Sequence, residues 1–179
     1  GAATILITND IMAQMGVTKE QLHADALENA PEIRPASFKT MAEVMAELMG
    51  MPADAMPADM APPMYVATND SKVQGAAVMF YPDFMDQAAK ELGGDVFILP
   101  SSVHEVIAVS TDLGNPNELA AMVAEINMDQ VALDERLSNQ VYHYDKDLRK
   151  VTLATDTPNK RLDGIVAEAP MVYEAGKTR

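Results

Sequence analysis

The sequence predicts an α+β fold: a mainly antiparallel sheet with helices packed on it, preceded by a helical N-terminal portion. Three observations carry this. From Met64 to Thr155, short β-branched and apolar runs alternate with turns and two helical stretches, and the NDSKVQG connection between the first two runs is short enough to make them antiparallel. Over residues 9–50 the apolar positions recur at helical spacing instead. Between the two lies MPADAMPADMAPP (residues 51–63), which repeats MPAD, carries four prolines and suits neither a regular helix nor a central strand.

The elements follow in chain order. TILIT (Thr4–Thr8) is a short β-branched run, and Asn9 can cap a short helix stopping at Gly16. Thr18 to Gln21 forms a capping-box pattern opening a second helix that carries Leu22, Ala26 and Leu27 and ends at Pro31. Phe38, Met41, Met45 and Leu48 share one face of an expected third helix that closes at Gly50, a stripe suited to core filling because methionine packs irregular interiors. MYVAT (Met64–Thr68) and AAVMFY (Ala76–Tyr81) read as two strands of a hairpin. Pro82-Asp83 opens a helix with Phe84, Ala88 and Leu92 on its buried face and Gly93-Gly94 as its stop. DVFIL (Asp95–Leu99) is apolar on both faces and belongs in the sheet interior, and VHEVIAV (Val103–Val109) pairs back on it. Asn115-Pro116 starts a helix bearing Leu119, Met122, Val123 and Ile126, and VYHYD with VTLAT forms a last hairpin. The expected organisation is thus a helical portion (1–50), a linker (51–63), a sheet domain (64–155) and an extended tail (156–179).

At 179 residues and 48% apolar, the chain can bury a real core. It has no run long enough for a membrane helix, and its opening lacks the basic stretch of a signal peptide, so a cytoplasmic protein without membrane contact is expected. The absence of an initiator methionine leaves room for an upstream segment. With no cysteine, disulfides, thiolate metal sites and a cysteine nucleophile are excluded. The net charge is -14, and the tail departs from the rest: residues 146–179 hold seven basic against five acidic residues. So acidic a body repels phosphate backbones, which argues against direct nucleic-acid binding and leaves a nucleic-acid mimic as the sharper alternative.

The chemistry-bearing stretch is ILPSSVHEV (residues 98–106). Read as turn and outgoing strand, it places Ser101 and Ser102 in the turn, His104 and Glu105 on opposite faces, and Glu105 in a row with Ile107 and Val109. A carboxylate there needs turn amides, Ser102 or a functional partner. Ser102, His104 and Glu105 are therefore the candidate catalytic residues, for hydrolytic or acid–base chemistry. No Gly-x-Ser-x-Gly elbow accompanies them, and HEVIA lacks the second histidine of a zincin. His104, His143 and Asp145 form a candidate metal set, since residues 143 and 145 share a strand face; two histidines with carboxylates suit zinc or another divalent ion if the strands adjoin. His23 reads as exposed. Phosphate-binding glycine loops are absent, and no cofactor is expected.

Four stretches carry a family resemblance: TNDIMAQMGVTKEQLHADALENAPEIRP, MYVATNDSKVQGAAVMFYP, ELGGDVFILPSSVHEVIAV and LSNQVYHYDKDLRKVTL. From about Thr4 to Leu153 the chain resembles an uncharacterised clostridial gut-bacterial family, a domain of unknown function, with ILPSSVHEVI its most distinctive piece. The resemblance implies no activity, cofactor or catalytic residue. The leading expectation is a non-catalytic binding or interaction domain with a protein partner. The alternative is a hydrolase or metal-dependent enzyme built on His104 and Glu105.

Overall fold

The computed structural model describes residues 5–52 and 64–154. Most of the proline-rich linker and the expected tail (156–179) lie outside the described residues.

Two helices come first. α1 (Asn9–Met15) is capped by Thr8 rather than Asn9, with the Thr8 hydroxyl accepting from the Ile11 amide. α2 (Lys19–Ile33) starts on Thr18, whose hydroxyl accepts the Gln21 amide at 3.1 Å, and it runs two residues past Pro31. Pro31 removes one amide donor, but the bond from the Arg34 amide to the Ala30 carbonyl closes the final turn around it. Neither helix buries a residue.

The expected third helix divides. Residues Ala36–Thr40 are a strand, β1, and the helix α3 spans only Met41–Leu48. The cause is a capping box: Glu43 Oε2 accepts from the Thr40 amide at 2.7 Å while Thr40 Oγ1 accepts from the Glu43 amide at 3.2 Å. That box fixes the first helical residue at Met41 and leaves Phe38 upstream, so its helical spacing to Met41 was coincidental. Met45 and Leu48 are exposed and Ala46 is the residue α3 buries, which overturns the reading of the methionine stripe as core.

β2 (Tyr65–Asn69) pairs antiparallel with β1, Phe38 opposite Ala67, so residues on either side of the proline-rich stretch share one sheet. AAVMFY is not a strand but part of a 3-10 turn, Gly75–Phe80. Its composition suits a strand, yet Gly75 is wedged where a Cβ would lie 2.5 Å from the His104 carbonyl and 2.7 Å from the Asn69 amide, so the chain turns away from the sheet there. The segment continues into α4 (Phe84–Leu92), ended by Gly93 at φ 75, and together they form the crossover to β3 (Val96–Leu99). β4 (Val106–Ser110), α5 (Pro116–Gln130, capped by Asn115), β5 (Tyr142–Asp145) and β6 (Lys150–Leu153) complete the order. The sheet runs β1-β2-β4-β3-β5-β6 with every pair antiparallel, as the predicted class requires.

The sheet is covered on both faces. On one, the 3-10 turn and α4 pack Val78, Phe84 and Ala88 against Ala67, Ile98 and Val106. On the other, Leu119 and Val123 of α5 meet Phe97, Leu99 and Val109. β3 is buried at all four residues, which explains its unbroken apolar run. Each fully buried Val or Ile contributes ~1.5–3 kcal/mol of transfer free energy, so the centre of the sheet dominates stability.

Candidate functional site

The residues that sequence singled out serve as turn and loop ties. Ser102 Oγ accepts from the His104 backbone amide at 3.1 Å, not from its imidazole. His104 Nδ1 accepts the Gln74 amide at 3.1 Å, which places the ring proton on Nε2, facing Glu135 at 3.3 Å. The His104 carbonyl accepts from Thr68 Oγ1 at 2.8 Å. Around the same turn, the Val103 amide donates to the Glu135 carbonyl, Leu137 to Ser101 and Ser138 to Pro100. This turn joins β2, the 3-10 segment and the 132–138 loop. Glu105 is exposed, not part of an apolar row, because β4 begins only at Val106 and strand alternation does not reach position 105.

His143 is almost fully buried on β5, its Nε2 3.1 Å from Asp95 Oδ2 and its ring edge-on to Phe97. Asp145 Oδ1 accepts the amides of Asp147 and Leu148, shaping the β5–β6 turn. His104 and His143 therefore engage different carboxylates, Glu135 and Asp95, and the candidate set of His104, His143 and Asp145 is not brought together. Among the described residues no three His, Asp or Glu side chains are placed to hold a metal ion. His23 is exposed, as expected.

Two clefts flank α4, and sequence reasoning named neither. Along a helix, positions three and four apart share a flank, so Asp83 and Asp86 look one way and Phe84, Gln87, Ala88 and Glu91 the other. On the β5–β6 side a cavity of about 350 Å³ is lined by Tyr81, Asp83, Asp86, Tyr144 and Arg149, with Met79, Met85 and Val151. The Arg149 guanidinium meets Asp83 Oδ1 at 2.6 Å and Asp86 Oδ2 at 2.5 Å, and Tyr144 Oη donates to Asp86 Oδ1 at 2.5 Å. Both Asp83 and Arg149 hold left-handed backbone, φ 59 and 50, a conformation that costs non-glycine residues about 1–2 kcal/mol.

Burial, and then the hydrogen bond to Asp86, pushes the Tyr144 phenol above the usual tyrosine value. The folded protein thus keeps this proton where the unfolded chain loses it, at about pH 10. Stability is expected to be fully present below that pH and to fall as pH rises through the folded value. Urea midpoints measured from pH 8 to 11 should fall less steeply in Tyr144→Phe than in the parent; parallel curves would remove Tyr144 as a source of the loss.

On the β1–β2 side, a cleft of about 420 Å³ is lined by Phe38, Tyr65, Phe84, Glu43, Gln87 and Glu91, with Thr40 and Ala88. Phe38 stacks on Tyr65 with centroids 4.6 Å apart and planes at 12°, and Phe84 meets Phe38 edge-on at 5.6 Å. The β1–β2 register puts Phe38 opposite Ala67 and Thr40 opposite Tyr65, so both rings stand on the α4 face of the sheet. The missed signal was Thr40-x-x-Glu43, a capping box that starts the helix after Thr40 and so takes Phe38 out of it.

Among the described residues, fold and clefts define an α+β protein with an antiparallel sheet covered on both faces and a surface cleft on each flank of a crossover helix. The chain belongs to a family of unknown function, DUF5688, whose model matches residues 1–146. Arg149 and β6 lie beyond the matched residues. No curated protein and no solved structure matches the chain. No helix among the described residues is long and apolar enough to cross a membrane.

Proposed function

We propose that this is a non-catalytic binding domain of a bacterial protein, and that it takes its partner in the cleft between α4 and the β1–β2 pair. The observation that carries this is the aromatic lining: Phe38 stacked on Tyr65, with Phe84 edge-on, beside a surface cavity of side-chain size. Binding sites combine such apolar walls with a few polar groups, here Gln87, Glu43 and Glu91. The cavity across α4 is the weaker candidate, because Arg149 already bridges its two carboxylates. The ILPSSVHEV turn is spent on backbone ties, which favours binding over catalysis as its context.

Amide spectra recorded against a panel of small aromatic, aliphatic, cationic and anionic compounds test the reading. Perturbations are expected to cluster on residues 38–43, 65 and 84–91. Clustering around Arg149 or around His104 instead would overturn it.

A further inference from the structure

Resting on that reading of the cleft, we infer that the group it accepts is a cation, the guanidinium or ammonium of an Arg or Lys side chain on a partner protein. The walls supply the first reason. Aromatic faces carry negative electrostatic potential and attract organic cations, most strongly where water is partly excluded. Phe38 and Tyr65 line the cleft with their planes nearly parallel, and Phe84, also in its lining, meets Phe38 edge-on.

The rim supplies the second. Glu43 and Glu91 line the cleft, and no described lining residue is basic. Glu43 spends Oε2 on the α3 capping box, and Glu91 has no ion-pair partner among the described residues. An anionic ligand would meet two carboxylates and no compensating charge.

The third reason is a comparison inside the molecule. The same helix, α4, turns carboxylates to both of its flanks. On the β5–β6 flank the chain supplies its own cation, with the Arg149 guanidinium between Asp83 and Asp86 beside Tyr144. On the β1–β2 flank the arrangement of carboxylate and aromatic recurs, and the cation is missing from the described lining residues. A partner's basic side chain would complete there what Arg149 completes on the other side. The net charge of -14 would draw such a partner in from a distance.

The test separates charge from shape. Amide spectra are recorded during titration with Nα-acetyl-arginine amide and, separately, with Nα-acetyl-citrulline amide, its neutral isostere. The arginine probe should move the Phe38, Tyr65, Phe84, Gln87 and Glu91 resonances, with affinity roughly tenfold above the citrulline probe, a difference within reach of cation–π contact plus carboxylate attraction. Glu91→Gln, and Glu43→Gln, which keeps the capping box, should each narrow that gap, and added salt should narrow it further. Equal response to both probes at the cleft overturns the cationic assignment while leaving the cleft as binding site. No cleft response to the arginine probe also overturns the assignment, and the compound panel then decides separately whether the cleft binds anything.

Discussion

Gly75→Ala is expected to destabilise the protein by about 3 kcal/mol, the upper part of the range for overpacking a rigid site. The added methyl would overlap Thr68 Oγ1, and it would lie 2.5 Å from the His104 carbonyl oxygen and 2.7 Å from the Asn69 amide nitrogen. Thr68 could rotate away, but only by giving up its 2.8 Å bond to that same carbonyl. The other two atoms are backbone: Asn69 at the end of β2, paired with Ala36 of β1, and His104 in the turn before β4. Relief therefore has to come from moving the 3-10 segment, which buries Ala76 and Val78 in the core. Urea unfolding measures the cost. Adding Thr68→Ala to Gly75→Ala should recover only part of the loss, because the backbone contacts remain. Full recovery would locate the clash in the threonine alone, and a cost near zero would mean that the segment yields freely.

The same contact explains why part of this fold was legible in the sequence and part was not. Runs with one dominant local signal were readable. VFIL (Val96–Leu99) is apolar at every position and is buried on both faces; Asn115 caps α5 ahead of Pro116; the β5–β6 hairpin follows its polar turn. AAVMFY failed because a nonlocal contact overrode local composition; the Phe38 stretch failed because the helical spacing of its apolar residues hid the capping box at Thr40, and its strand partner is nonlocal. The wedge at Gly75 depends on a carbonyl nearly thirty residues away, and the fate of Phe38 depends on pairing with β2 across the proline-rich stretch. The candidate cleft inherits that difficulty. Its walls come from β1, β2 and α4, and nothing in the spacing of Phe38, Tyr65 and Phe84 announces that they meet. The histidines misled for a related reason: Ser102, His104 and Glu105 stand close in sequence, but His104 turns its ring to Gln74 and Glu135.

His143→Ala is expected to cost about 3 kcal/mol, as cavity formation and loss of a buried polar pair combine. The imidazole is about 1% exposed, lies 3.1 Å from Asp95 Oδ2 and meets Phe97 edge-on. Asp95 is a quarter exposed and also accepts the Lys146 amide through Oδ1, so water and that amide soften the loss on the carboxylate side. The expected cost of Asp95→Asn is accordingly smaller, about 1 kcal/mol, since the amide side chain keeps an acceptor. A double-mutant cycle should give a coupling of roughly 1–2 kcal/mol between the two sites. Coupling near zero would mean that the pair is incidental and that His143 stabilises through packing alone. The cycle also bears on metal binding, which sequence raised for this histidine. An imidazole enclosed between Phe97 and Asp95 has to leave the core before it can ligate an ion. Zinc added to the parent and to His143→Ala should therefore shift their unfolding midpoints by the same amount, and a larger shift in the parent would return His143 to the metal reading.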